Sequence, residues 1–139
     1  MSYLLDTNVI SELRKSSERI NPEVRNWAAQ HDVETMFLSA LSVFEIELGI
    51  ERKQRVHAEK AMRLRDWFDG VVQPMFAGRI LPLTDRVAAV AARMNVPDPR
   101  PLADCFIAAT AIVNGLTVVT RNVSDFDDLG VAVINPWQL

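Results

Sequence analysis

The stretch Met1-Ser2-Tyr3-Leu4-Leu5-Asp6-Thr7-Asn8-Val9-Ile10 sets how the rest of the chain is understood. Tyr3–Leu5 is a short apolar run that reads as a buried strand. It delivers one carboxylate, Asp6, onto the turn where a helix begins. Two roles are open to that acid. Asp6, or Thr7 beside it, can cap the helix by accepting from free backbone N–H groups. Alternatively, Asp6 is the first of several carboxylates gathered at the carboxyl ends of parallel strands to hold a divalent cation.

Beyond this stretch, short apolar runs alternate with helical patterns. Asn21-Pro22-Glu23 is a helix start, with a capping Asn, Pro at the first position and an acid in the first turn. Val24, Trp27 and Ala28 follow at helical spacing, and His31 ends the segment in a surface setting. A second strand is expected over Thr35–Leu38, followed by a helix in which Ser42-x-x-Glu45 fits a capping box. Glu47 falls on the far side of that helix, toward water. One long amphipathic helix is expected from Arg55 to Val72, with Ala61, Leu64, Phe68 and Val71 inward and His57 solvated. Ile80-Leu81-Pro82 makes a third, short strand, since Pro82 restricts it to a strand end or edge. Thr84 caps an alanine-rich helix. Asn95 to Pro101, with three prolines, is irregular and a candidate mobile loop. Pro101 opens a helix that is apolar nearly all round, hence central, and that stops at the left-handed signal Asn114-Gly115. Leu116–Thr120 and Val131–Ile134 are the last strands. This alternation argues for an α/β layered fold with a mainly parallel sheet, as one domain spanning 1–139.

Composition narrows the chemistry. At 49% hydrophobic and 24% charged residues, the chain has the balance of a folded globule rather than a disordered tail. Its single cysteine, Cys105, excludes an internal disulfide and reads as an apolar filler; with two histidines it cannot supply an ordinary structural zinc site. The apolar start is broken by Asp6 and Glu12 and lacks a basic leader, and no apolar run is long enough to span a bilayer. A cytoplasmic protein with no membrane partner is therefore expected. The net charge of −3 gives no bulk electrostatic case for nucleic acid, although 12 of the 15 basic residues are arginine, which suits bidentate phosphate contact.

Each notable acid has a local explanation: Asp6 as a cap, Glu45 in a capping box, Asp104 complementing a helix dipole. Their joint placement does not. Asp6 and Asp125 follow the two most strand-like runs, Glu45 follows the second strand, and Asp104 begins the most apolar helix. That is the edge of a parallel sheet where sites form. Brought together, such carboxylates raise one another's pKa values, and a hard divalent cation resolves the conflict. Rival chemistries lack their residues: no Gly-x-Ser-x-Gly elbow, no phosphate-cradling Gly-x-x-x-x-Gly-Lys loop, and no lysine after Lys60 for a phosphoacceptor receiver.

Leu5-Asp6-Thr7-Asn8, the helical Glu45, Pro101-Leu-Ala-Asp104 with Ile107-Ala108-Ala109, and Val118-Val-Thr120-Arg121-Asn122-Val-Ser-Asp125-Phe126 resemble PIN-domain ribonucleases. The ending Gly130-Val-Ala-Val-Ile-Asn-Pro136-Trp137 is similar to the VapC/FitB branch, the toxins of type II toxin–antitoxin modules. The resemblance spans essentially the whole chain. It implies a three-layer Rossmann-like sheet of order 3-2-1-4-5 flanked by helices, and an endoribonuclease that uses Mg²⁺ or Mn²⁺ to activate water. A homodimer, or a larger assembly, bound by a small DNA-binding antitoxin is implied as well.

The same resemblance puts Asp6, Glu45 and Asp104 at the three principal acids and Thr7 in a supporting hydrogen-bonding role. The fourth acid departs from pattern. Many relatives carry Asp directly after Thr-Arg, where this chain has Asn122; others carry it three residues on, where Asp125 stands, and a carboxylate is the usual hard-cation ligand. Arg121 is either a phosphate contact or a surface charge. The competing reading is a non-enzymatic PIN-like module that binds RNA or a partner without cutting; a phosphatase of small substrates is a third.

Overall fold

The computed structural model describes all 139 residues, Met1 to Leu139. Strand β1 (Tyr3–Leu5) runs into helix α1 (Thr7–Leu13), which is followed by α2 (Pro22–Ala29), β2 (Met36–Ser39) and α3 (Ala40–Val56). Then come α4 (Ala58–Trp67), a π-helical turn over Phe68–Val72, the single turn α5 (Gln73–Met75), β3 (Ile80–Leu81) and α6 (Asp85–Arg93). Helix α7 (Leu102–Asn114), β4 (Thr117–Val119) and β5 (Val133–Ile134) complete the chain. The strands form one sheet in the order β3-β2-β1-β4-β5, and every pairing is parallel. This is the order implied by the family resemblance.

Strand β1 lies in the middle, and its alternating side chains feed two separate cores. Tyr3 and Leu5 face one side, with Val9, Ile10, Trp27, Ile46, Ile50, Phe68 and Val72 from the helices of the first half. Leu4 faces the other, with Ile107, Ala108 and Ala111 of α7 and with Val118, Phe126 and Leu129. A third, smaller group joins Val87 and Ala91 of α6 to Cys105 and Ala109 of α7, where small side chains let the two helices pack closely. Cys105 is fully buried there as a filler. Helix α7 ends as its sequence requires: Gly115 takes φ 68° and ψ 36°, a left-handed conformation that costs a residue with a Cβ about 1 kcal/mol or more.

Three local expectations are corrected. The helix expected to begin at Arg55 is two helices, α3 and α4, with His57 at φ −157° between them. Helix α3 extends to Val56 and α4 packs back against it, so that Ile46 and Ile50 of α3 and Leu64 and Trp67 of α4 reach one core, which a single straight helix cannot achieve. Beyond Trp67 the π turn shifts the phase by about one residue, so Val72 is buried and Val71 is 47% exposed. His31 is not a free surface residue: its ring stacks on Trp27 (centroids 4.5 Å apart), meets the Tyr3 ring edge-on at 5.0 Å, and holds the Trp27 carbonyl with Nδ1 at 2.6 Å. The third is the capping box of Ser42 and Glu45, which does not form because α3 is capped by Ser39.

The consequence of a strand shared by two cores is testable. Leu4 is completely buried. Leu4→Ala should lower unfolding stability by about 2–5 kcal/mol, read from chemical denaturation, whereas alanine at the exposed Leu102 should change it by less than about 0.5 kcal/mol.

Candidate active site

Because all strands point the same way, the turns after β1, β2 and β4 meet at one edge of the sheet. The chain builds outward from β1 to β2 and β3, then returns to place β4 on the other side of β1. The edge between β1 and β4 is thus a switch point, where open α/β sheets form crevices. Asp6 sits in it. Its backbone is extended (φ −68°, ψ 156°), and one carboxylate oxygen accepts from the Thr7 N–H at 2.8 Å, so Asp6 does cap α1. The other oxygen accepts from the Thr120 hydroxyl at 2.8 Å and from the Asn8 amide at 3.3 Å. Capping and site-building are therefore two uses of one carboxylate.

The same residues stitch the turn after β4 to the turn after β1. Asn8 Nδ2 lies 3.1 Å from the Thr120 hydroxyl oxygen, the Arg121 N–H donates to Asn8 Oδ1 at 3.3 Å, and the Asn122 N–H donates to Thr120 Oγ1 at 3.1 Å. Thr120 is fully buried. Neither Asn8 nor Thr120 stood out in the sequence as a functional residue. The available signal was a polar residue closing the run Val118-Val119, where an apolar one would be the simpler core choice.

Glu45 arrives from β2 and α3. The capping box expected from Ser42 and Glu45 is not formed. Strand β2 passes straight into α3, so the cap is Ser39, whose hydroxyl accepts from the Leu41 N–H at 3.0 Å. Ser42 is already one turn inside the helix and buried. Glu45, freed from the helix end, accepts instead from the Thr7 hydroxyl at 2.7 Å, and Thr7 and Ser42 share a hydroxyl–hydroxyl contact of 3.0 Å. Thr7 has one hydroxyl proton; with it given to Glu45, the Ser42 hydroxyl is left as donor to Thr7. Glu47 is turned away and forms an ion pair with Arg65 at 2.6 Å. It is half-buried, not fully in water.

Asp104 stands in the first turn of α7, half-buried. Burial raises its carboxyl above the ordinary value, and the charges of Asp125, Asp6 and Glu45 push it further; Arg100 pulls it back. Asp6 is also raised, chiefly by burial and in small part by Asp125, against the lowering effect of its bonds to Thr120 and Thr7. Asp125 acts on both Asp6 and Asp104, and Asp6 and Glu45 act on Asp104, so the four lie in one electrostatic neighbourhood, with Asp125 on the exposed turn Val123–Phe126. Asn122 is exposed and enters only through its backbone N–H. Arg121 extends over the Trp137 ring at 5.3 Å. Arg100, unremarked in the sequence, is the cation that acts on Asp104.

The four acids are neighbours without forming a closed cage: no three His, Cys, Asp or Glu side chains stand together as a ready-made ligand set. Their donor chemistry is uniform, all carboxylate oxygen, and their repulsion is the kind that a hard divalent cation relieves. Burial, together with that repulsion, has a measurable cost. Since Asp104 is raised in the folded state, the fold holds its proton more tightly than the unfolded chain does. This contribution is fully present below the ordinary value of 3.8 and is lost as pH rises through the raised value. Asp104 accepts no protein hydrogen bond that a substitution would break. In EDTA, Asp104→Asn should therefore melt higher than the parent at neutral pH, and the gap should close below about pH 4. Circular-dichroism melts across this range check it.

Comparison with known proteins follows the same lines. A family model described as PIN domain matches residues 3–131. The chain is 38% identical to Toxin FitB of Neisseria gonorrhoeae over 139 residues, covering 96% of this chain and 97% of that one. It is 34% identical to VapC ribonuclease Y4jK of Sinorhizobium fredii over 143 residues, covering 97% of each. Among solved structures, that of FitAB bound to an IR36 DNA fragment superposes with a TM-score of 0.87 at 37% identity, covering 99% of this chain and 96% of that one. With the five-stranded parallel order and the carboxylates at its β1–β4 edge, this chain belongs to the PIN-domain family.

Proposed function

We propose that the chain is a metal-dependent endoribonuclease and the toxin half of a type II toxin–antitoxin pair. The observation that supports the reading is that Thr7 bonds to both Asp6 and Glu45 while Asp104 feels the charges of Asp125, Asp6 and Glu45. It is supported by end-to-end similarity to a protein named a toxin and to one named a ribonuclease.

In this reading Asp6 and Asp104 hold the principal cation, Mg²⁺ or Mn²⁺, and Glu45 and Asp125 complete the cluster. A divalent cation bound there supplies Lewis-acid stabilisation of a phosphodiester and a nucleophile from water at neutral pH. The chain's own groups prepare that chemistry. The Thr120 hydroxyl, the Asn8 amide and the Thr7 N–H fix both oxygens of Asp6. The Thr7 hydroxyl orients Glu45, so a pairing 38 residues apart in sequence, like the one 114 apart between Asp6 and Thr120, is set before substrate arrives. Asp125, on the exposed turn, lies on the open side from which a phosphodiester would approach.

The partner follows from the same relatives. FitB occurs in a FitAB assembly on DNA; a small DNA-binding antitoxin made beside this chain, and pairing of the chain with itself, are the corresponding proposals here. No helix is long and apolar enough to cross a membrane, which agrees with a site of action among cellular RNAs in the cytoplasm. The open arrangement of the acids is the observation that favours the alternative, a PIN module that binds without cutting.

Purified protein should cleave total RNA with Mg²⁺ or Mn²⁺ and not with EDTA; binding without any metal-dependent product supports the alternative instead. Asp6→Asn and Asp104→Asn should each reduce cleavage by at least about a hundredfold and relieve growth arrest while remaining folded. Thr7→Val, which leaves every acid in place but frees Glu45, should cost roughly ten- to a hundredfold, measured as initial rates on one RNA.

A further inference from the structure

Beyond the acids, the cations have an arrangement of their own. Arg14 and Arg19 come from the segment between α1 and α2, Lys53 from α3, and Lys60 and Arg63 from α4. All five line one surface pocket of about 360 Å³, and its only other lining residue is Leu64. No carboxylate faces it. None of the five belongs to the ion pairs of the protein, which are Lys15–Glu12, Arg65–Glu47 and Arg65–Asp69. Arg14 rests over the Trp67 ring at 5.7 Å, a contact that directs a cation without neutralising it. In a chain whose net charge is −3, five unpaired cations in one hollow are not a by-product of overall basicity.

The hollow is built, not merely crowded. The buried carboxylate of Glu12 holds the Lys15 ammonium at 2.9 Å and the Asn21 N–H at 2.9 Å, which closes the α1–α2 segment and fixes where Arg14 and Arg19 emerge. The break at His57 folds α4 back along α3, which brings Lys60 and Arg63 beside Lys53.

The pocket also has a direction. A second groove, about 440 Å³, begins at Thr7 and Glu45 and runs past Gly49, Arg52 and Trp67. Lys53 and Leu64 line both, so the two lie side by side along α3 and α4. Of the four acids Glu45 lines the groove, and the five cations line the pocket. A phosphodiester chain lying along the two would have its charges matched by Arg52, Lys53, Lys60 and Arg63, with the indole of Trp67 available for stacking by a base.

We propose that the pocket formed by Arg14, Arg19, Lys53, Lys60 and Arg63 binds the backbone of single-stranded RNA and leads the strand along the α3–α4 groove to Glu45. The proposal deepens the ribonuclease reading and rests on it for the identity of the polyanion. Its contribution is sequence-independent: it sets affinity and direction of approach, not the base that is cut.

The test is binding of a labelled single-stranded RNA by fluorescence anisotropy over a range of salt, with Asp104→Asn in Mg²⁺ and the parent in EDTA. Lys60→Glu/Arg63→Glu should weaken binding by roughly tenfold or more and lower the slope of log affinity against log salt by about 1.4, or ~0.7 for each phosphate no longer neutralised. Lys60→Arg/Arg63→Lys should restore both, which a folding defect would not allow. Arg86→Glu/Arg93→Glu, on α6 and away from the groove, should leave both near the parent values. Equal loss from the α6 pair, or unchanged binding by the charge-reversed pocket, would overturn the proposal. So would tighter binding of polyglutamate, or of vesicles with phosphatidylserine in phosphatidylcholine, than of RNA. The cleavage assay separates the two readings. If the parent cuts RNA and the charge-reversed pocket cuts equally well at low substrate, the track is wrong and the nuclease stands. If the pocket binds RNA that the parent never cuts, the nuclease is wrong and the track stands.

Discussion

The hydrogen bond from the Thr120 hydroxyl to Asp6, 2.8 Å long, joins the turn after β4 to the turn after β1. It is the constraint around which the site is arranged. Parallel pairing of β1 with β4 brings the two turns to the same edge, but pairing alone would leave a partly buried carboxylate beside other negative charge. The fold tolerates Asp6 there because each of its oxygens has a donor: the Thr7 N–H on one, Thr120 and Asn8 on the other. Desolvation still dominates and leaves the carboxyl raised. A cap alone does not require a buried acid beside other carboxylates, and a carboxyl perturbed in this way is a common mark of a functional site.

Glu45 and Asp104 meet Asp6 by different routes. Glu45 is carried by α3, whose cap at Ser39 is set by the strand entering it. Asp104 is carried by α7, which begins after an irregular segment braced by Asn95; Asn95 donates to the Ala91 carbonyl and accepts from the Arg100 N–H. Arg100 in turn donates to the Asp127 carbonyl at 2.9 Å, tying the start of α7 to the turn that bears Asp125. Asp6 and Glu45 are thus held by backbone, hydroxyl and amide donors, and none of the four acids is in an ion pair.

Much of this is legible in the chain alone. Tyr3–Leu5, the Asn21-Pro22 start, the apolar α7 and the Asn114-Gly115 stop each carry a local signal strong enough to survive folding, and together they give the alternating order from which a parallel sheet follows. The acids stand out because four of them fall at strand ends or a helix start. What stays hidden depends on contacts between distant segments. Ser42 and Glu45 have capping-box spacing, yet the helix begins earlier, at a boundary set by the pairing of β2 with its neighbours. The break at His57 leaves no proline or glycine to mark it; it goes with the packing of apolar residues from α3 and α4 into one core. His31 looks like a polar end residue until Tyr3, far away in sequence, supplies its second ring. Asn8 and Thr120 matter only to each other and to Asp6, a relation no spacing rule describes.

The sheet's two faces give the site a final property. Glu45 rides on the layer packed around Leu5, Ile46 and Ile50; Asp104 rides on the opposite layer, around Leu4 and Ile107. Asp6 stands in the plane between them. The gap from Glu45 to Asp104 is therefore gauged by the thickness of the sandwich, as jaws are set by the body of a caliper. Swelling or thinning of either layer alters the bite of the acids before it unfolds anything, so this protein's sensitivity to interior substitutions reaches beyond its melting temperature.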